Sequence, residues 1–354
     1  MPKGIFFNPL GEMHPKSRDN PREDKMRLTN NHGISLPLAV WLLNDEYDYI
    51  NEPNYISATS LLKSTRQLVL SRRVIQEDRE MDLADLLASR MGAAIHDSQE
   101  KAWRENGQRA MQKLGYPEHV WSNIAINPTP DEVDANPNII PIWIEQRSFR
   151  EITVDGVTYK IGGKFDQVID GRLFDTKTTS VYSYLLGRKD NDYAMQGAIY
   201  RWLNPTLITD AHIFIQFVFT DWQKARSRGD DGYPKTKTLE YPVEMPSIAD
   251  TEEYIRGKIR ELIRYGNVPD EQIPHCTDKE LWKGETVYKY FSDPNKTSGR
   301  ATRNFDGDKA EAHNYMASKG GKGVVVAFPG EVKACGYCPA FNVCKQKDLY
   351  FVAP

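Results

Sequence analysis

The clearest hydrophobic pattern in this chain lies between residues 140 and 179, where apolar and polar side chains alternate along most of the segment. Alternation with a period of two is typical of β-strands, and the β-branched residues here reinforce it. The pairs Asp155-Gly156 and Asp170-Gly171 interrupt the pattern, and Asp-Gly is a strong signal for a two-residue hairpin turn. The segment therefore predicts three consecutive strands joined by tight turns.

Apolar residues spaced three and four positions apart predict helices on both sides of these strands. The pattern is strongest over residues 82–105, and it recurs through residues 193–203. A third helix is predicted over residues 250–267, with acidic residues early and Gly266 at its end. Strands are predicted at 211–222 and 238–245, and this order of elements is typical of a mixed α/β domain.

The chain of 354 residues is long enough for one large domain or two modest ones. Residues 1–33 are rich in proline, asparagine and charge, which predicts a flexible or irregular arm. The α/β pattern favours a main domain over residues 34–270. Residues 271–354 carry all the cysteines and are interpreted as an appended C-terminal module.

Composition indicates a soluble globular protein, with 40% hydrophobic and 11% aromatic residues. The sequence contains no run of about 18 apolar residues and no export signal, so we expect a cytoplasmic protein without a membrane partner. The formal net charge of −3 does not by itself indicate a nucleic-acid binder. It leaves room for a local basic groove.

Two acidic residues occupy neighbouring strands of the predicted hairpin. Asp166 precedes the Asp170-Gly171 turn and Asp175 follows it, and adjacent strands lie about 4.8 Å apart, so both carboxylates can reach one cation. Lys177 lies two residues beyond Asp175 and points to the same face. Carboxylate and carbonyl oxygens suit Mg²⁺ or Mn²⁺, so the backbone carbonyl of Thr176 is a further candidate ligand.

These motifs resemble the PD-(D/E)XK nuclease core in its RecB-like branch. GGKFD at residues 162–166, followed by FDTK at 174–177, is similar to the metal-binding strands of that family. RMGAAIH, which ends at His96, resembles its Gly-x-x-x-His helix. QGAIY at residues 196–200 resembles its Gln-x-x-x-Tyr helix, and the motifs follow the order of the family over roughly residues 55–205.

The resemblance implies a restriction-endonuclease-like core, in which a mixed sheet is flanked by helices, for residues 34–270. It implies Mg²⁺ or Mn²⁺ as a cofactor, with ligands from His96, Asp166, Asp175 and Thr176. The residues that it implies for catalysis are Asp166, Asp175, Lys177, Gln196, Tyr200 and, on the first core strand, Glu145.

The function expected from this resemblance is a metal-dependent DNA exonuclease, of the kind that phages use in DNA end processing and recombination. Its partners would be single- or double-stranded DNA ends and a recombination or helicase protein, in the host cytoplasm if the chain is phage-encoded. Candidate phosphate contacts are Arg66, Arg72, Arg73 and the basic loop at 223–237. The alternatives are a structure-selective endonuclease of the same fold and a non-catalytic DNA-binding scaffold.

Four cysteines, Cys276, Cys335, Cys338 and Cys344, lie in the last quarter of the chain. In a cytosolic protein such clustering favours metal ligation over disulfides, and four thiolates suffice for an iron–sulfur cluster or a tetrahedral zinc ion. The tail resembles the cysteine staple of AddB-type and CRISPR-associated RecB-like nucleases. In those proteins the lone cysteine typically precedes the nuclease motifs, whereas Cys276 follows them. The resemblance implies a [4Fe–4S] cluster, with Zn²⁺ as the alternative.

Overall fold

The central feature of this protein is a mixed β-sheet. The structure is a computed structural model, which describes residues 27–45, 49–74, 80–187 and 189–351. The strands are β1 (Arg27–Thr29), β2 (Tyr55–Ser57), β3 (Glu80–Asp82), β4 (Ile124–Ile126), β5 (Ile140–Val154), β6 (Val157–Ile169), β7 (Arg172–Thr179), β8 (His212–Phe219), β9 (Thr238–Glu244), β10 (Val287–Phe291), β11 (Arg303–Asp306) and β12 (Val324–Phe328).

Helices occupy much of the chain between these strands. They are α1 (Leu36–Leu42), α2 (Ala58–Leu61), α3 (Thr65–Ser71), α4 (Leu87–Lys113), α5 (Glu118–Trp121), α6 (Pro130–Ala135), α7 (Val181–Leu185), α8 (Asp190–Leu203), α9 (Lys224–Gly229), α10 (Ile248–Tyr265) and α11 (Lys309–Ser318). The protein is therefore a mixed α/β protein, as the order of hydrophobic patterns predicts.

The main sheet runs in the order β4-β5-β6-β7-β8-β9, and β2 pairs with β6 beside that path. Strands β5, β6 and β7 form an antiparallel meander, whereas β7 and β8 are parallel. Both meander turns have positive φ at their two central residues, with values of 50° and 80° at Asp155 and Gly156 and of 49° and 74° at Asp170 and Gly171. Those angles are the signature of type I′ turns, so the predicted hairpins are confirmed.

Helices α8 and α10 cover one face of this sheet. Helix α10 buries Thr251, Ile255, Ile259 and Leu262, which recur at helical spacing, and α8 buries Ile199 and Trp202 in the same core. Gly266 directly follows α10, as predicted, and its φ of −55° is right-handed rather than the left-handed value that many helix-terminal glycines adopt. A second, smaller hydrophobic core is formed by residues of β4 and β5, against which Trp103 and Met111 of α4 pack.

Contacts divide the described residues into two units. Those within 27–52 and 80–95 form one, in which β1 pairs with β3 and α1 contributes Leu42 to a small core. Residues 53–74 and 96–351 belong to the other, which includes the cysteine-bearing tail. This division differs from the predicted boundaries at 33 and 270. Of the predicted arm, residues 1–26 lie outside the described residues, and Arg27–Thr29 forms β1.

A second sheet, in the order β11-β10-β12, lies between Cys276 and Cys335 in the chain. Helix α11 packs on it through Ala312 and Tyr315, around Tyr290 and Phe305. We refer to residues 285–331 as the ββαβ segment. No helix in the described part of the chain has the length and apolar character required to cross a membrane.

Candidate metal centre

Three side chains from three different elements converge beside the main sheet. His96 lies on α4, Glu145 on β5 and Asp166 on β6, and one ligand atom from each lies within 4.8 Å of the other two. His96 Nδ1 is 3.2 Å from Asp166 Oδ2 and 3.8 Å from Glu145 Oε1. In the part of the chain that the structure describes, no other group of three histidine, cysteine or acidic side chains has its ligand atoms within 4.8 Å of one another.

The backbone breaks its regular alternation at the two acidic residues. The pairs Ile144↔Gln167 and Gln146↔Phe165 flank Glu145 and Asp166, which lie opposite each other. Phe165 and Val168, three residues apart on β6, both belong to the main core, so the strand reverses its faces at Asp166. Glu145 has a φ of 52°, which is uncommon for a residue other than glycine and is costly within a strand. At this distortion, both carboxylates lie within 4 Å of His96 Nδ1.

Asp175 lies beside this group on β7. The antiparallel pairing of Gln167 with Phe174 brings Asp166, the residue before Gln167, opposite Asp175, the residue after Phe174. The Thr176 N–H donates to Asp166 Oδ2 at 2.9 Å, and the Thr176 carbonyl is 3.1 Å from His96 Nε2. The structure thus places His96, Asp166 and the Thr176 carbonyl, three of the predicted ligands, close together. Asp175 is adjacent but is not a member of the compact group.

Lys177 neutralises the buried carboxylate of Asp175. The two side chains lie on the same face of β7 and form an ion pair, with 2.5 Å between Lys177 Nζ and Asp175 Oδ2. Asp175 is 1% exposed, and this burial raises its pKa to about 6 against the opposing effect of the Lys177 charge. For Lys177, burial favours the neutral amine, but the carboxylates of Asp175 and Asp166 outweigh it and raise the pKa above its usual value.

The electrostatics of His96 follow from the same competition. Burial disfavours the charged imidazole, but hydrogen bonds to Asp166 and Glu145 outweigh it and raise the pKa of His96 to about 10. Burial also opposes ionisation of Asp166, yet the hydrogen bond and charge of His96 hold the pKa of this carboxyl below its usual value. The carboxylates of Asp166 and Glu145 therefore favour a positive charge at this position. A bound divalent cation would supply such a charge.

Gln196 and Tyr200 support Asp175 from α8. Gln196 Nε2 donates to Asp175 Oδ1 and to the Tyr200 hydroxyl, in each case at 3.2 Å. Both side chains are buried, so their observed contacts are with the carboxylate and with the core. Gly163 gives the Tyr200 ring room, because a Cβ at this position would lie 2.8 Å from that ring. This glycine accommodates an aromatic side chain of the protein itself.

Two residues that the sequence reasoning did not select also reach the site. Lys164 Nζ is 2.5 Å from Glu145 Oε2, and the Gln99 side chain accepts a hydrogen bond from Thr176 Oγ1 at 3.0 Å. Periodicity could have found both. Lys164 lies two residues before Asp166 on the same strand, and Gln99 lies three residues after His96 on the same helix.

The predicted phosphate contacts in the first basic stretch are partly wrong. Arg66 is 2% exposed, forms an ion pair with Asp270 and donates to the carbonyl of Ile273, so it is buried by its own partners. Arg73 donates to the carbonyls of Gly266 and Val268, just beyond the C-terminus of α10. Arg72 remains exposed, as do the basic side chains of the loop at 223–237.

The cysteines lie along segments that pack against α3 and its cap. Cys276 Sγ is 3.2 Å from the Ser64 hydroxyl, and Arg66 Nε donates to Cys344 Sγ at 3.2 Å. The Gln346 side chain bonds both backbone polar groups of Cys276. Burial raises the pKa of Cys276 and Cys335, with nearby thiols adding to the effect. Within the described residues, the cysteines do not form a group with ligand atoms inside 4.8 Å.

No family model matches the sequence, and no curated protein matches it. Among solved structures, the chain is similar to the one described as the crystal structure of SSO0001, with 18% sequence identity and a TM-score of 0.36. That similarity covers 60% of this chain and 78% of the other. A likeness at this level is too weak to assign a fold or an activity.

Proposed function

We propose that this protein is a divalent-metal-dependent deoxyribonuclease with a PD-(D/E)XK, restriction-endonuclease-like core. The observation that carries the proposal is the convergence of His96, Glu145 and Asp166 within 4.8 Å. They meet beside the strand that presents Asp175 and Lys177. These residues come from a helix and three strands, in the order that the family resemblance implies.

The donor set is chemically suited to Mg²⁺ or Mn²⁺. Carboxylates, a backbone carbonyl and one imidazole are ligands that these cations accept, and Mn²⁺ tolerates the nitrogen donor more readily. Asp166, Glu145, His96 and the Thr176 carbonyl would hold the ion, with Asp175 beside them. When bound, such a cation acidifies a water molecule and neutralises charge on the phosphoryl group.

The remaining side chains of the site have separable roles in this proposal. Lys177 supplies an ammonium group beside the reacting water, where it orients that water and stabilises developing negative charge. Gln196 holds Asp175 through the hydrogen bond at 3.2 Å. Lys164 balances the charge of Glu145, and the Glu145 backbone distortion keeps this carboxylate directed at the centre.

Substitution at the centre tests the proposal directly. Asp166→Asn and Lys177→Ala should each abolish cleavage of end-labelled linear DNA in Mg²⁺ or Mn²⁺, while circular dichroism and thermal unfolding show a folded protein. The matched control is Asp170→Asn, the same chemical change at a turn position with a φ of 49°, which asparagine tolerates. Full activity in either site variant would reject the assignment.

We propose that the cleavage is exonucleolytic, on the strength of the resemblance to phage-type enzymes for DNA end processing and recombination. A circular single-stranded substrate separates the alternatives, because an exonuclease finds no end on it. Cleavage of the circle would make the protein an endonuclease. Metal-dependent binding without any product would instead favour a non-catalytic scaffold.

We also propose that Cys276, Cys335, Cys338 and Cys344 ligate a [4Fe–4S] cluster. The hydrogen bonds from Gln346 to the backbone of Cys276 support this, since they join the lone cysteine segment to the one that follows Cys344. Protein purified without oxygen should be brown and contain iron, and Cys335→Ser should lose both properties. Colourless protein with stoichiometric zinc would assign the tail to zinc instead.

A further inference from the structure

The two ends of the ββαβ segment differ in the balance of their charges. The chain enters and leaves it at one end, where the Gly284 N–H donates to the Glu331 carbonyl at 3.0 Å. We call this end the base. It carries the exposed acidic residues Glu285, Asp306, Asp308 and Glu331, together with the exposed Lys309.

The opposite end, which we call the tip, is formed by two loops. Residues 292–302 connect β10 to β11, and residues 319–323 lead from α11 into β12. Antiparallel pairing of Phe291 with Val324 and of Tyr290 with Arg303 places both loops at this end. The tip carries exposed basic residues, namely Lys296, Arg300, Lys319 and Lys322. Asp293 is its acidic residue.

Tyr290 fixes the two loops side by side. Its carbonyl accepts a hydrogen bond from the Thr302 N–H at 2.9 Å, and its hydroxyl donates to the Lys322 carbonyl at 2.9 Å. Gly323 has a φ of 88°, and a Cβ there would overlap the Phe291 carbonyl oxygen. The second loop therefore passes closely over the end of β10. The basic side chains are presented from a defined surface, about 10 Å across three strands.

Local stability does not account for this charge pattern. The negative end of the helix dipole attracts cations, which explains Lys319 at the C-terminus of α11. It does not explain Lys296 and Arg300, which arrive from the other loop. The Lys296 ammonium lies 3.4 Å from Asp293 but its side chain is 82% exposed, so solvent screens this pair strongly. Several cations on one small surface favour a partner with closely repeated negative charges.

We propose that the tip of the ββαβ segment binds the phosphate backbone of DNA. It lies outside the metal centre and supplies sequence-independent affinity for the strand. The inference rests on the proposed function only in naming DNA as the polyanion. Lysine and arginine contacts to phosphates release counterions, so the tip should account for part of the salt dependence of binding.

The test measures binding of the full chain to fluorescent single- and double-stranded oligonucleotides by anisotropy, without divalent metal. The tip variant changes Lys296, Arg300, Lys319 and Lys322 to alanine. It should lower the slope of log affinity against log salt by about 2 or more, and weaken binding at about 0.1 M salt at least tenfold. Melting temperatures should fall by no more than a few degrees, because all four side chains are exposed and Lys319, beside the Tyr315 ring at the C-terminus of α11, makes only a small contribution to stability.

A control variant makes the same change in net charge elsewhere. Lys101, Lys113, Lys309 and Lys333 are exposed, and none of them lies in the tip loops. Their replacement by alanine should leave the slope unchanged. Equal slopes for the tip variant and the wild type, or equal losses in both variants, would overturn the inference. Tip-dependent binding to vesicles of anionic lipid, with none to DNA, would overturn it as well.

The proposed nuclease activity and this inference fail independently. Asp166→Asn should bind DNA with the wild-type salt slope while losing cleavage. A wild-type protein that binds through the tip but never cleaves would reject the nuclease assignment and support the tip. If the wild type cleaves DNA and the tip variant keeps the wild-type salt slope, the nuclease assignment is supported and the inference about the tip is rejected.

Discussion

At the scale of single residues, the environment of Asp175 determines what the centre can do. This carboxylate is buried, its pKa is raised to about 6 by that burial, and Lys177 and Gln196 are its polar partners. A carboxylate in such surroundings depends on each partner, because a lost partner is not replaced by water. The Gln196 amide is therefore a positioning group for Asp175.

Gln196→Ala should reduce the rate of DNA cleavage or the affinity for Mn²⁺ by about 10- to 100-fold, the range typical of residues that orient metal ligands. Tyr200→Phe should have a smaller effect, because Gln196 keeps its bond to Asp175 Oδ1. Cleavage rates measured as a function of Mn²⁺ concentration separate lost affinity from lost turnover. A Gln196 variant with unchanged metal dependence and rate would contradict this role.

At the scale of secondary-structure elements, the β6–β7 hairpin sets the distance between the two predicted catalytic aspartates. Its turn has positive φ at Asp170 and Gly171, and the Gly171 carbonyl accepts hydrogen bonds from the N–H groups of Thr209 and Asp210. The equivalent turn at Asp155-Gly156 has the same backbone conformation. Around Gly156, however, no heavy atom of the described residues other than Gly156 and its two chain neighbours lies within 4 Å of the position that a Cβ would take, so a methyl group fits there without a clash.

These two turns give a matched pair of substitutions. Gly156→Ala should lower the free energy of unfolding by about 1 kcal/mol, the cost of a left-handed conformation in an L-residue. Gly171→Ala should cost at least about 1 kcal/mol more, since its Cβ would overlap Thr209 Oγ1 and overpack the contact. Urea unfolding of both variants measures the difference. Equal losses would show that Thr209 moves aside without cost.

At the scale of the whole molecule, Arg66 joins segments that are distant in sequence. It lies on α3, forms an ion pair with Asp270, and donates to Cys344 Sγ near the end of the chain. The Lys345 N–H also donates to Asp270 Oδ2, at 2.7 Å. The tail is thus anchored to α3 and to the segment after α10 through a buried charge pair.

Arg66→Met should lower the free energy of unfolding by about 3–5 kcal/mol, because it leaves the Asp270 carboxylate buried without a cation. Arg72→Met is the matched control at the end of the same helix, where the side chain is exposed, and it should change stability by no more than about 0.5 kcal/mol. Chemical denaturation of both proteins provides the comparison. A small effect at Arg66 would mean that water or another group solvates Asp270.

The sequence by itself determined the elements that short-range rules govern. The meander over residues 140–179 follows from alternation and from two Asp-Gly pairs, and α8 and α10 follow from helical spacing. Strand periodicity also predicted that Asp175 and Lys177 share a face, which their ion pair confirms. These features depend on residues close together in the chain, so local pattern is sufficient to predict them.

Only the tertiary structure decided the features that depend on distant segments. The left-handed backbone at Glu145 and the burial of Arg66 against Asp270 each require partners from other elements. The same holds for the charged tip, where antiparallel pairing brings together two loops that are separate in sequence. Burial and ion pairing are properties of the packed chain, and no local pattern encodes which arginine will be enclosed.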